Sequence, residues 1–347
     1  MAENRKLKSI IRYVLSAAVA VVLMYFSFRE VKWDDFVAGL RSCRWGWIVL
    51  SMSAGIMAFY LRGLRWRELL LPLDGSIGRI TAFNAINIGY LANFIFPRIG
   101  EFVRCGVITN NSLPQQASDA DGSDGHSAIV RKKASYDKVI GTVVLERSWD
   151  MVTMLLFLVA LLVFKWDEFG GFFVDEMWHP MQQNLDFSLW WIVAGIVVSI
   201  AVLIWVIVAT RTKFRFSEKI CSLFGGVMLG LGSCMKMRRK WVFFVYTALI
   251  WLMYWTMSAA TMTALPDLEG LGPVDALFLM VAGSFGWLVP VPGGFGAFHF
   301  IVSLALSTIY GIPFEMGIVF ATLSHESQAI TMAVCGGISY ICESFRK

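Results

Sequence analysis

Charge is what this sequence has least of. Asp, Glu, Lys and Arg together make up 16% of its 347 residues, against 57% hydrophobic. That is too little polar surface to enclose a soluble core of this size, so a soluble globular domain is excluded. Histidine is scarcer still, with four in the chain. The run His325-Glu326-Ser327-Gln328-Ala329 has alanine where the H-E-x-x-H zinc motif needs its second histidine, and no metal site is expected. The six cysteines, Cys43, Cys105, Cys221, Cys234, Cys335 and Cys342, show no C-x-x-C spacing. They read as packing residues rather than as metal ligands or a disulfide framework. No G-x-x-x-x-G-K-[ST] run occurs, so the chain carries no ATP engine and no cofactor is expected. No basic stripe is interleaved with aromatics, and a net charge of +5 suits anchoring to anionic lipid better than nucleic-acid binding.

What the sequence does have is long apolar runs. Those at 10–28, 45–61, 139–164, 188–210, 241–262 and 313–342 approach the ~20 residues that a membrane-spanning helix requires. The first follows a basic head containing Arg5, Lys6, Lys8 and Arg12 but lacks a small-residue cleavage site, and it reads as an uncleaved first span. Two further apolar regions, 77–109 and 275–310, are broken near the middle by Pro and Gly. Arg62, Arg65, Arg67 and Arg79 precede the first, and Arg131, Lys132, Lys133 and Lys138 follow it, which places both flanks in the cytoplasm. Asp267, Glu269 and Asp275 lead into the second, whose flanks read as external.

The expected fold is therefore all-α: a polytopic membrane protein with six full transmembrane helices, two re-entrant broken-helix hairpins and both termini cytoplasmic. Residues 1–165 and 188–347 form two repeats of opposite orientation within one membrane domain. An inverted repeat with discontinuous helices in matching places is a pointer to a transporter whose substrate binds between the halves. The alternative is that the broken regions are ordinary kinked spans, above all the first. Residues 110–138 read as a mobile cytoplasmic loop and 214–237 as an interfacial helix.

Broken helices expose backbone polar groups, which lipid cannot satisfy, so the breaks are expected to face protein or a wet cavity. The first break, NFIFPRIGEFVR at 93–104, holds Pro97, Arg98, Gly100, Glu101 and Arg104, and Gly100 leaves room for a ligand or another backbone. The second, VPVPGGFGAFH at 289–299, turns on Gly293, Gly294 and Gly296 before a helix whose N-terminal amides suit an anion such as phosphate. Glu146, Arg147 and Asp150 lie inside an apolar run, as do His325 and Glu326, and charges at such depth are default functional candidates. Arg98 with Glu101, and Arg147 with Glu146, have two readings, ion pairs that tie helices together or direct substrate contact. For the two arginines contact is favoured, because a guanidinium matches phosphate bidentately. Arg62, Arg65, Arg67 and Arg104 read as markers of the cytoplasmic interface. Asn84, Asn87 and Asn93 either line a polar passage or bond between helices.

RGLRWRELL (62–70), NFIFPRIGEFVR (93–104), GTVVLERSWDMV (141–152) and PVPGGFGAFH (290–299) together resemble the family related to the transmembrane region of lysylphosphatidylglycerol synthase. The resemblance implies lipid flipping, with Arg98, Glu101, Arg104, Glu146, Arg147 and Asp150 at the family's charged motifs and Gly293, Gly294 and Gly296 at its glycine turn. The soluble aminoacyl-transfer domain of that synthase has no counterpart in these residues, so a transporter rather than an enzyme is expected. The expected substrate is a phospholipid or lipid-linked anionic precursor, moved between leaflets of the inner (cytoplasmic) cell membrane by alternating access. Two other classes stay open: an intramembrane lipid headgroup transferase, and a non-transporting accessory subunit of a lipid-modifying enzyme. Against the transferase, His325 and Glu326 are the one candidate acid–base pair, and helix neighbours are expected to point apart.

Overall fold

The computed structural model describes residues 17–29, 31–73, 76–96, 99–111, 135–166, 239–289 and 291–345. Among the described residues the chain is all helix and turn. The predicted span 188–210, the predicted interfacial helix 214–237, most of the predicted loop 110–138, and Pro97, Arg98 and Pro290 lie outside them.

The helices are α1 (Ala17–Phe28), α2 (Trp33–Ser42), α3 (Trp45–Leu70), α4 (Arg79–Ile95), α5 (Gly100–Asn111), α6 (Tyr136–Phe164), α7 (Lys240–Thr263), α8 (Pro273–Leu288), α9 (Ala297–Tyr310) and α10 (Phe314–Phe345). Trp45–Leu70, Tyr136–Phe164, Lys240–Thr263 and Pro292–Tyr310 are long and apolar enough to cross a membrane. Three of these contain predicted spans. The fourth was predicted as one arm of a hairpin, and it reaches spanning length when the 3₁₀ turn Pro292–Gly294 at its head is counted. α3 runs nine residues past the predicted end at 61, because Arg62–Leu70 holds mostly good helix formers around the single Gly63 and the first proline is Pro72. α2 was not predicted. Its apolar side buries Phe36 and Gly39, and its acidic first turn and basic last turn complement the helix dipole.

By contact the chain divides into two compact units, Met1–Val143 with Trp241–Lys347, and Val144–Lys240. In the first, α3 and α7 lie side by side and antiparallel. The Arg44 amide donates to Ala264 O (2.8 Å), Ser51 Oγ to Met257 O (3.2 Å), and an Arg65 guanidinium nitrogen to Thr247 Oγ1 (3.2 Å). Arg44 also pairs with Glu269, an exposed contact that contributes little stability. α10 touches most of this unit. Gly336 lets it close on Asn87 and Leu91 of α4, Gly317 on Ser303 of α9, and its Val319 packs against Gly39 of α2.

Both broken regions fold as helical hairpins. Asn84 of α4 and Asn111 of α5 both donate to the buried Glu343 carboxylate (2.8 Å each), which sets the two arms together at their open end. In the second, Tyr310 Oη donates to Asp275 Oδ1 (2.9 Å), while Asp275 Oδ2 accepts from the Gly272 amide (2.7 Å) and caps α8. Large apolar side chains such as Val49, Ile56, Leu156, Val163, Ile338 and Ile341 stay exposed along the long helices. A surface of that kind is stable in contact with lipid and not with water.

The basic side chains of the flanks are engaged with neighbouring helices. Arg62, Arg65 and Arg104 are buried against protein. Arg62 donates to Tyr254 Oη (3.1 Å), Arg65 lies over the Phe243 ring, and Arg104 stacks 4.6 Å from the centre of the Trp66 ring. Charge counting along the chain registers the sign of a flank but not the direction of its side chains. Of the four, Arg67 is the partly exposed one, and its Nε donates to Ile77 O (2.8 Å).

The four described cysteines are free thiols: Cys43 and Cys105 are buried, Cys335 is partly covered and Cys342 is exposed. Burial also pushes the Cys43 thiol up, so little reactive thiolate forms there. Among the four described cysteines, a maleimide reagent is expected to label Cys342 first and Cys335 slowly, and to leave Cys43 and Cys105 unmodified until denaturant is added. Mass spectrometry of peptides checks the order, and prompt labelling of Cys43 would show that α2 and α3 do not cover it.

Candidate functional site

The second break is built on glycine. Gly293, Gly294 and Gly296 have φ of 58, 75 and 77°, a left-handed region that side-chain-bearing residues enter only with strain. They reverse the chain between α8 and α9. At Gly296 a Cβ would meet the backbone of α1, 2.7 Å from Met24 N and 2.9 Å from Ala20 O. The first break is closed by Asn93, whose Oδ1 accepts from the Gly100 amide (2.6 Å) and whose Nδ2 reaches Glu101 Oε2 (3.4 Å). Gly100 lies against the Gly89 carbonyl, so the space it leaves is filled by another backbone.

The two tips meet. Phe94 and Phe295 contact edge to face with centroids 5.5 Å apart, and Gly293 lies against Phe94. Beside this junction passes the middle of α10, carrying His325 and Glu326. His325 is fully buried and stacks on Trp287 (5.1 Å between centroids), with Phe295, Phe298 and His299 4.9, 5.4 and 5.0 Å away. Its Nε2 lies 2.7 Å from Gly293 O and its Nδ1 3.0 Å from Glu326 Oε1. The expectation that His325 and Glu326 point apart is thus corrected. Their Cα positions diverge around the helix, but the three-bond stem of Glu326 folds its carboxylate back to the ring. His299, on the first turn of α9, brings Nε2 within 3.7 Å of the same oxygen.

The structure therefore gathers Gly293, Gly294, Gly296, His325 and Glu326, and adds His299 and Trp287, which sequence reasoning missed. The available signal was slight: two of only four histidines, each in an apolar run, one of them three residues beyond the glycine turn. The reason for expecting no metal ligands, the missing histidine at 329, does not hold in three dimensions. His299 comes from another helix, and one donor atom from each of His299, His325 and Glu326 lies within 4.8 Å of the others.

The remaining predicted site residues stand elsewhere. Arg98 is outside the described residues, Arg104 is engaged with Trp66, and Glu101 with Asn93. Within the second unit, Arg147 stands 3.9 Å from Asp150, one turn along α6, and Glu146 is buried. Asn84, Asn87 and Asn93 all bond between helices, Asn87 to Ser339 (3.3 Å). A cleft of about 840 Å³ opens beside the base of the first hairpin, lined by Tyr60, Arg79, Thr81, Asn84, Glu343 and Phe345 among others. That volume is within the range of small-molecule sites.

Long apolar helices with exposed apolar side chains, and broken hairpins that meet tip to tip, define a multi-pass helical membrane protein. The family model "Lysylphosphatidylglycerol synthase TM region" matches residues 13–336, and the chain belongs to that family of lipid-related membrane proteins. Neither a curated protein nor a solved structure matches it.

Proposed function

We propose that the protein moves a phosphate-bearing membrane lipid, or a lipid-linked anionic precursor, between the leaflets of the inner membrane by alternating access. The observation that carries this reading is the meeting of two broken hairpin tips beside a polar cluster on α10. Breaks in matching places of an inverted repeat are where transporters build their substrate sites. In this reading the chain has six full spans, with α4–α5 and α8–α9 as re-entrant hairpins and residues 1–165 and 188–347 as the inverted halves. The antiparallel pairing of α3 with α7, equivalent spans of the two halves, supports that symmetry. So does the pairing of Arg44 with Glu269, since both belong to the external side in this topology. The cleft beside Arg79 admits a headgroup from the cytoplasmic side, Arg98 and Arg147 are each a guanidinium suited to a lipid phosphate, and the glycine turns let the hairpins rock while acyl chains stay in the bilayer. Membrane lipid is the partner, and a lipid-modifying enzyme that supplies it is a second one.

The test is leaflet exchange of fluorescent phospholipids in vesicles containing the purified full-length chain, scored by chemical quenching. Exchange is expected in the parent and lost in Arg98→Ala and Arg147→Ala. A lipid of changed mass would point to a headgroup transferase instead. Folded parent protein that neither exchanges nor modifies any headgroup, including lipid-linked precursors, would leave the accessory-subunit reading.

A further inference from the structure

The polar cluster where the second hairpin meets α10 has an arrangement that lipid movement does not call for. Gly293 O can only accept a hydrogen bond, so His325 Nε2, 2.7 Å away, carries its hydrogen. That leaves the Nδ1 lone pair facing a Glu326 oxygen across 3.0 Å. Two acceptors at that separation need a cation between or beside them. A shared proton would satisfy these two groups and leave His299 unexplained. His299 is 1% exposed, its Nδ1 has no hydrogen-bond partner among the described residues, and its Nε2 stops 3.7 Å from the same carboxylate oxygen, beyond hydrogen-bond reach. An imidazole buried without bonds is costly unless something engages it.

We propose that His299, His325 and Glu326 form a binding site for a divalent transition-metal ion of the zinc class. Two ligands each ~2.0–2.1 Å from a tetrahedral ion lie about 3.3 Å apart. The observed 3.0 and 3.7 Å from the carboxylate oxygen bracket that spacing, and the two imidazole donors lie within 4.8 Å of each other, so ion binding would draw the rings together. Two imidazoles and one carboxylate are a common zinc set, which leaves a fourth position for water. The Nε2–H of His325 on Gly293 O is the outer contact that ligating histidines regularly make: it fixes the tautomer and aims the other nitrogen at the ion. The ion would join α9 to α10 and, through that carbonyl, hold the glycine turn. The inference does not depend on the lipid-transport reading.

The experiment uses the full-length chain, purified in detergent through a tag without histidine and stripped with chelator. It is titrated with Co2+, whose visible d–d bands report tetrahedral nitrogen and oxygen coordination, and then with Zn2+ as competitor. One Co2+ per chain with tetrahedral bands, displaced by Zn2+, is the expected result, with affinity at least about ten-fold weaker in Glu326→Gln and in His299→Gln. Glu326→Gln keeps the shape of a side chain that is 39% exposed, so it separates lost ligation from misfolding. Zn2+ should also raise the thermal midpoint of the parent more than that of Glu326→Gln. Monodisperse parent protein without tetrahedral bands, or with equal affinity in both variants, would overturn the proposal.

Discussion

Gly100→Ala is expected to lose the first hairpin. A Cβ there would sit 2.0 Å from the carbonyl oxygen of Gly89 and 2.7 Å from Asn93 Cγ. The first obstacle is backbone, so no rotamer change relieves it, and α5 has to move off α4. That movement also breaks the 2.6 Å bond from the Gly100 amide to Asn93, the contact that caps α5. Overpacking together with a lost cap costs about 3 kcal/mol or more. The measurements are the thermal midpoint and the monodisperse yield in detergent. Gly106→Ala, on the same helix with nothing within 4 Å of its Cβ, is the control. It should be neutral or gain about 0.5–1 kcal/mol from helix propensity. Equal midpoints for Gly100→Ala and the parent would refute the close approach of the two arms.

Glu343→Ala should be the other severe substitution. One carboxylate oxygen accepts from Asn84 and the other from Asn111, each at 2.8 Å, so a single side chain of α10 holds both arms of the hairpin. Hydrogen bonds to a charged group contribute roughly 1.5–3 kcal/mol each, and removing the acceptor leaves the buried Asn84 amide without it. The expected loss is about 3 kcal/mol, read as a lower unfolding midpoint. Glu343→Gln should fall between, since its amide keeps one accepting oxygen but presents a donor to the other asparagine. A Glu343→Ala protein as stable as the parent would mean that the asparagines find other partners.

These two substitutions mark where sequence reading stops. Gly100 was legible as a place of close approach, but whether it meets a ligand or a backbone depended on Gly89, eleven residues earlier in the chain. Glu343 carried no signal, because a carboxylate near the end of a helix is ordinary until two asparagines from another part of the chain converge on it. The arginines show the same limit. RGLRWRELL announces a basic flank, yet burial of Arg62 and Arg65 arises from where α7 packs against α3.

Hydropathy by itself determined that the chain is a multi-pass helical membrane protein, because lipid offers no hydrogen bonds and admits only long apolar helices at the observed lengths. Proline and glycine placement likewise determined where the helices break, since both act on the backbone locally. The four motifs were enough to assign the family. Only the tertiary structure decided that the two breaks touch, that His299 joins His325 and Glu326, and that Arg62, Arg65 and Arg104 face protein. Those are meetings of side chains from helices far apart in sequence, set by close packing at glycine contacts, and no local pattern encodes them.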